Sequence, residues 1–323
     1  MTILLTGATG FIGSHVLDAL LRRGYSVRAV VRGRGRLAPR EGLHVVRADL
    51  TETGALVDAL RGCDAVIHTA AAYTFAPQDA ATIRRVNVLG TKGLLAAARL
   101  AGVQRAVVTS SSAAVGPMRG NRPADERLWN EPHGSESAYH ASKVVAERTA
   151  LAARLPLVTV LPTAPLGAGD RRPTPTGRMV LDVIRGRIWG TLDGGMNVVD
   201  VDDVAWLHVA ALERGRPGER YVAGGVNLPL AGVFRLIAEA AGRRPPSWRV
   251  PFALALAAGA VDELRGWFTA RDPRAPLEGV RMGHVRMYAE SAKAQAELGY
   301  RPSPIEPAVE RAVAWFREHG YAA

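Results

Sequence analysis

One cysteine, Cys63, stands in a chain of 323 residues. A single thiol excludes an internal disulfide framework and a multi-cysteine metal centre, and no metal is expected. It fits a chain that works in a reducing cytoplasm. Lysine is almost as scarce: only Lys92, Lys143 and Lys293 accompany the arginines in a total of 41 basic residues. A surface that needs positive charge alone can use either residue, so the bias reflects genome composition. A lysine kept in such a chain marks a place to look for work suited to a compact ammonium. Long hydrophobic runs are missing too. The longest, residues 252–261, is too short to span a bilayer. Met1-Thr2-Ile3-Leu4-Leu5-Thr6-Gly7 puts no basic segment before its apolar run, and reads as a strand entering a glycine turn, not as a signal peptide. Runs of like charge are also absent. The formal net charge is +11, but the arginines are scattered and not interleaved with aromatics. That pattern speaks against nucleic acid and for a solvated basic surface that attracts an anionic small molecule.

What is present is ordinary for a globular chain. Hydrophobic residues at 48% and charged residues at 22% exclude global disorder, collagen-like and coiled-coil architectures. Through residue 162 the pattern alternates. Short apolar, β-rich runs at 3–5, 27–31, 44–46, 65–68, 106–109 and 157–161 lack polar alternation, as strands covered on both faces do. Helical patterns at 11–23, 55–61, 80–101 and 137–154 lie between them, several closed by glycine. The alternation predicts an α/β fold, a doubly wound parallel sheet of Rossmann type. From 163 the rhythm breaks in a loop rich in proline and glycine. Residues 163–323 read as a smaller, mostly helical, discontinuous substrate region, with a return to the sheet near 197–222 and a closing helix at 304–319.

Thr6-Gly7-Ala8-Thr9-Gly10-Phe11-Ile12-Gly13 follows the first strand and opens the first helix. Glycines there permit a tight turn and close approach of backbone to a pyrophosphate, and the helix N-terminus supplies N–H groups and a positive dipole end. The motif predicts a dinucleotide held by Gly7, Thr9, Gly10, Phe11, Ile12 and Gly13. At the end of the second strand an acid would accept from the adenosine ribose. This chain has Val30-Val31-Arg32, then Arg34 and Arg36, with no acid between Asp18 and Glu41. Arginine can neutralise a 2′-phosphate, so NADP(H) is expected over NAD(H), which stays possible, with Arg32 and Arg36 as contacts. Asp49 and Leu50 after the third strand suit the adenine, and Thr69, Ala70 and Ala71 after the fourth offer small residues for the ribose to pack on.

Tyr139-His140-Ala141-Ser142-Lys143 starts a helix and puts a phenol and an ammonium on one face. A nearby positive charge is expected to lower the phenol's pKa toward working pH, making Tyr139 a general acid or base. The turn Thr109-Ser110-Ser111-Ser112-Ala113 ends the fifth strand, where open α/β sheets bind ligands.

In this order the glycine motif, Val66-Ile67-His68-Thr69-Ala70-Ala71, Asn87-Val88-Leu89-Gly90-Thr91, the Ser111 turn and the Tyr139/Lys143 pair resemble the extended short-chain dehydrogenase/reductases. Val201-Asp202-Asp203-Val204-Ala205 and Ser291-Ala292-Lys293-Ala294 extend the likeness over essentially the whole chain. Within that superfamily the chain looks most like the dihydroflavonol-reductase-like branch, which includes proteins labelled hopanoid-associated sugar epimerase. Pro173-Thr174-Pro175-Thr176-Gly177-Arg178 and Leu277-Glu278-Gly279-Val280-Arg281-Met282 carry this closer resemblance. It implies that Ser111 hydrogen-bonds the substrate oxygen, Tyr139 gives or takes the proton, Lys143 holds the nicotinamide ribose, and Asn87 lies beside them. It also brings Thr109, Pro162, Thr163 and Pro165 to the cofactor, and implies a homodimer through the helices at 80–101 and 137–154.

Members of the family are ketone reductases or sugar epimerases and dehydratases. Sugar-nucleotide enzymes commonly carry asparagine after the sixth strand, where this chain has Ala164, and Pro162-Thr163 is similar to the flavonoid reductases. Asp200 stands where many members have histidine. An NADPH-dependent carbonyl reductase is therefore expected. A sugar epimerase or dehydratase and a non-catalytic NADP-binding sensor are the alternatives. Tyr73, Phe75, Met118, Trp129, Thr163, Met179 and Trp189 are candidates for a pocket that takes a small apolar or aromatic substrate.

Overall fold

The computed structural model describes every residue except 34, 36, 74–78, 119, 132–137, 189, 270–276 and 322–323, and of 264, 266–269 and 278 the backbone alone. The first strand, β1 (Thr2–Thr6), runs into α1 (Phe11–Arg22), β2 (Ser26–Val31) and β3 (Leu43–Arg47). Then come α2 (Thr53–Leu60), β4 (Ala65–His68) and α3 (Ala80–Ile83). A π-helical stretch at Arg84–Gly90 joins α3 to α4 (Thr91–Leu100). Next are β5 (Arg105–Thr109), a 3-10 turn at Ser112–Ala114, α5 (Ala138–Leu151) and β6 (Leu157–Pro162). The six anticipated strands are all present, each within a residue or so of the apolar run that announced it. The helix expected over 80–101 differs. It is broken in register, because its middle widens into the π-helical turn that carries Asn87.

The second half supplies β7 (Ala164–Leu166), α6 (Pro175–Ile184), β8 (Gly190–Thr191), β9 (Gly195–Asp200) and α7 (Val201–Arg214). It continues through β10 (Arg220–Ala223), β11 (Val226–Pro229), α8 (Leu230–Ala240), β12 (Trp248–Arg249) and α9 (Phe252–Thr269). The chain closes with α10 (Leu277–His284), β13 (Arg286–Met287), α11 (Ala292–Leu298) and α12 (Glu306–Glu318). No helix among the described residues is long and apolar enough to cross a membrane.

Seven strands form the main sheet in the order β10-β6-β5-β4-β1-β2-β3, all parallel. The strand order reverses between β1 and β4, so their carboxyl ends open a crevice there. Ile3, Leu4 and Leu5 of β1 are fully buried; burial of each such side chain is worth about 2 kcal/mol. One face of the sheet is covered by α1 and α7, where Val16, Leu17 and Leu20 join a core with Val204, Leu207 and Ala211. On the other face Leu56, Leu60, Leu94 and Leu95 of α2 and α4 pack against Val66 and Val108.

Strand β10 is the return to the main sheet. The segment before it goes elsewhere: β9 belongs to a second, four-stranded sheet with β7, β11 and β13. This small sheet and α6, α8 and α12 enclose their own core, which includes Val180, Ile237, Val309 and Phe316.

Candidate active site

The crevice is floored by the glycine turn. Gly7 has φ +79°, and a Cβ on it would lie 2.5 Å from Thr69 Oγ1 and 2.6 Å from the Ala70 amide nitrogen. A Cβ on Gly13 would lie 2.0 Å from the Gly7 carbonyl oxygen. Only glycine lets turn, helix and the loop after β4 come this close. Helix α1 then opens without a side-chain cap and without an acid in its first turn. Thr9 and Gly10 are exposed and Phe11 and Ile12 half-buried at this opening. An uncapped helix N-terminus behind a glycine turn fits a pyrophosphate.

Around this turn the structure places the other candidates at strand ends. Arg32 is exposed at the end of β2; Arg34 and Arg36 lie outside the described residues, as do Phe75 and Trp189. Asp49 follows β3, and its carboxylate accepts from the amide (2.9 Å) and hydroxyl (2.7 Å) of Thr51. Those bonds, with the charges of Arg32 and Arg85, hold its pKa below the ordinary value. Leu50 packs on Gly90. After β4, Thr69 Oγ1 donates to the Thr6 carbonyl (2.8 Å), and Ala71 is exposed.

Beyond β5 the chain turns through Ser111, whose hydroxyl accepts from the Ala113 amide (3.1 Å) and is hydrogen-bonded to the Tyr139 phenol. Tyr139 and Lys143 are buried on α5, with the ammonium 5.9 Å from the phenol ring centroid. Lys143 Nζ donates to the Thr109 carbonyl (3.2 Å). Tyr73 stacks on Tyr139 with centroids 4.3 Å apart and is 44% exposed, so it forms the solvent side of the phenol. The expected downward shift of the phenol is not found. Burial pushes Tyr139 up to about 12, and the Ser111 hydrogen bond acts against this without overcoming it. Burial acts on the ammonium in the mirror sense, lowering Lys143 to about 8 against the pull of Glu147.

Asn87 clamps rather than points into the crevice. Its carboxamide accepts from the Ala72 amide (2.7 Å) and donates to the Ala72 carbonyl and Ser142 Oγ (both 3.0 Å). It thereby ties the loop after β4 to α5. The π-helical turn is held from below by a chain of directed bonds. Thr91 Oγ1 donates to the Asn87 carbonyl (2.7 Å), so it accepts from His68 Nε2 (2.9 Å), and His68 Nδ1 accepts from Thr6 Oγ1 (2.7 Å). Burial lowers His68 to about 3, which keeps it neutral.

The proposed substrate residues are dispersed. Thr163 Oγ1 donates to Asn197 Oδ1 (2.9 Å), linking β6 and β7 to β9; Pro162 ends β6 and Pro165 lies in β7. The Met118 amide donates to the Arg286 carbonyl (3.3 Å), and Met179 packs half-buried on the core of the second half. Trp129 lies beside the Arg220 and Arg148 guanidiniums, 3.7 Å and 5.1 Å from its ring centroid. Asp200 caps α7 through the Asp202 amide (3.0 Å) and pairs with Arg311 (2.5 Å). Lys293 pairs with Glu219 (2.5 Å) over the Tyr221 ring.

Two polar residues near the site escaped sequence reasoning. Glu147 is four residues beyond Lys143, a spacing that could have flagged it. Its partner Arg220 is 73 residues away, with no local signal.

Residues 3–224 match the model of the NAD dependent epimerase/dehydratase family. The chain belongs to this family, among the extended short-chain dehydrogenase/reductases. It is an NAD(P)-dependent oxidoreductase of that type. A Synechocystis protein provisionally named dihydroflavonol 4-reductase is 37% identical, with 98% of this chain and 95% of that one covered. Sterol demethylase protein B of Methylococcus capsulatus is 35% identical over 99% of both chains. Among solved structures, a nucleoside-diphosphate-sugar epimerase from Pseudomonas aeruginosa superposes with a TM-score of 0.84 at 27% identity, covering 100% of this chain and 99% of that one.

Proposed function

We propose that the chain is an NADPH-dependent reductase of a ketone or aldehyde on a small, apolar or aromatic metabolite. The observation that carries this reading is the Tyr139 phenol, hydrogen-bonded to Ser111 and kept protonated by burial, which suits a proton donor. A reduction needs an acid at the carbonyl oxygen, whereas an epimerase must first remove a hydroxyl proton. The reductase name of the Synechocystis relative agrees with it, as does Ala164, which has no hydrogen-bonding side chain to offer a sugar diphosphate.

In this reading Gly7, Gly10 and Gly13 admit the pyrophosphate, Arg32 the 2′-phosphate, and Lys143 the nicotinamide ribose. When bound, the cofactor supplies a hydride for a carbonyl carbon. Ser111 orients the carbonyl oxygen, and Tyr139 passes its phenolic proton to that oxygen as negative charge develops there. Lys143, one turn along α5, stabilises the phenolate left behind. Tyr73 covers the phenol and limits water.

Denaturing the purified protein and identifying what it releases tests the proposal. The expected result is an empty or NADP-exchangeable site, with NADPH consumed when a ketone substrate is added. Stoichiometric, tightly retained NAD with no net consumption would favour the epimerase instead.

A further inference from the structure

We propose that Glu147 and Arg220 are a positioning pair that keeps Lys143 charged and anchors the turn carrying Ser111. The proposal rests on the Tyr139 and Lys143 roles given above.

Glu147 lies one turn beyond Lys143 on the same side of α5. Both residues line one small cavity of about 10 Å³, together with Asn87, Thr109 and Ser110, which is room for about one water-sized sphere. The Glu147 side chain is 0% exposed, and donors surround its carboxylate. Oε1 accepts from Thr159 Oγ1 (2.7 Å) and Arg220 Nε (3.0 Å). Oε2 accepts from Ser110 Oγ (2.8 Å) and Arg220 Nη2 (3.2 Å). Each carboxylate oxygen thus meets two donors, one hydroxyl and one guanidinium N–H.

The pair is neutral in sum but oriented. Arg220 turns Nη1 away, to the carbonyls of Glu126 (2.6 Å) and Leu128 (2.8 Å), and its guanidinium packs on Trp129. Glu147, and not Arg220, faces the cavity shared with Lys143. The ammonium therefore meets the negative end. The other titratable groups packed toward it are His68 of β4, which is neutral, and Tyr139 of α5, which is protonated. Burial alone pulls Lys143 down, and Glu147 opposes it. The same carboxylate holds Ser110, whose neighbour Ser111 meets the phenol.

Scarcity of lysine makes the test direct. In protein carrying ¹³C-labelled lysine, three side chains give signals, and Lys143→Met identifies the buried one. Glu147→Gln alone strands a buried guanidinium and can fail to fold. Glu147→Gln with Arg220→Met keeps partners for Ser110 and Thr159 and removes the charges together. The expected result is that the Lys143 signal titrates near 8 in the unaltered protein and loses about tenfold in proton affinity in the double variant, roughly one pH unit. Lys92 and Lys293 stay in place as internal controls. In turnover, the alkaline fall of kcat/KM moves to lower pH by the same amount. An unchanged Lys143 titration, or a loss of turnover uniform across pH, overturns the proposal. Turnover retained by Lys143→Met would sink the catalytic reading itself, whatever the titration shows.

Discussion

The Lys143 ammonium at the strand ends and the polar hub around Asn197 show opposite treatment of buried polar groups. At the hub every valence is used. Asn197 Oδ1 accepts from Thr163 Oγ1 and the Gly225 amide, while Nδ2 donates to Asn227 Oδ1 and the Ala289 carbonyl. At the strand ends a buried ammonium reaches one carbonyl at 3.2 Å, and a buried phenol is stacked under a half-exposed ring. Saturated networks stabilise a fold and resist change. A buried ammonium with a single long hydrogen bond costs stability, and such a cost is tolerated where something else is to be bound. In the proposed reading the small sheet is a brace, and the crevice is the place where the molecule works.

Substitutions can break that division. The largest effect is expected from Tyr139→Phe, which should cut kcat by about 10³-fold or more while NADPH affinity, read by fluorescence titration, stays nearly the same. Turnover close to that of the unaltered protein would remove Tyr139 from its role. On the brace, Asp200→Ala should cost about 1–3 kcal/mol in urea unfolding through the lost cap and ion pair, with kcat unaltered well below Tm. A stable variant with impaired kcat would put Asp200 in the wrong class. Arg32→Asp should shift preference from NADPH toward NADH by about 1–3 kcal/mol in kcat/KM with no change in Tm; an unmoved ratio argues against a 2′-phosphate at Arg32.

The smallest effect should come from the seam between the two regions. His15 of α1 faces acceptors on both ring nitrogens, the Asp202 carboxylate at 2.7 Å and the Ala168 carbonyl at 2.9 Å, and satisfies both only as the imidazolium. Burial works against that charge, but Asp202 and Ala168 outweigh it and raise the pKa. A raised folded-state pKa gives stability that is complete below the free-histidine value and is lost as pH climbs through the folded one. The urea midpoint should thus decline above about pH 6.5, and His15→Gln should flatten the decline at a cost of about 1 kcal/mol at low pH. Identical pH slopes for the two proteins would show that the seam does not titrate.

The main sheet was legible because strands buried on both faces announce themselves as apolar runs, and the glycine turn because its spacing is local. Tyr139 and Lys143 were legible for the same reason: one helical turn separates them. Burial is not written in local spacing, so the direction of the phenol's shift could not be read. The π-helical turn depends on Asn87 gripping a loop 15 residues earlier in the chain. The small sheet depends on strands such as β13, two residues long, whose pairing no run of sequence declares. Arg36 and the segment 132–137 before Tyr139 lie outside the described residues.

One consequence of the strand order reaches back to synthesis. Strand β10 carries Arg220 into the edge of the sheet 73 residues after Glu147. On a translating ribosome, Glu147 waits roughly 4–15 s for its counter-ion at ordinary elongation speeds. Through that interval β1 to β6 can already offer Ser110 and Thr159 to the Glu147 carboxylate, yet its charge has no counter-ion. The charge behind Lys143 is thus paired only once the chain has passed residue 220, well beyond the strands that frame the crevice.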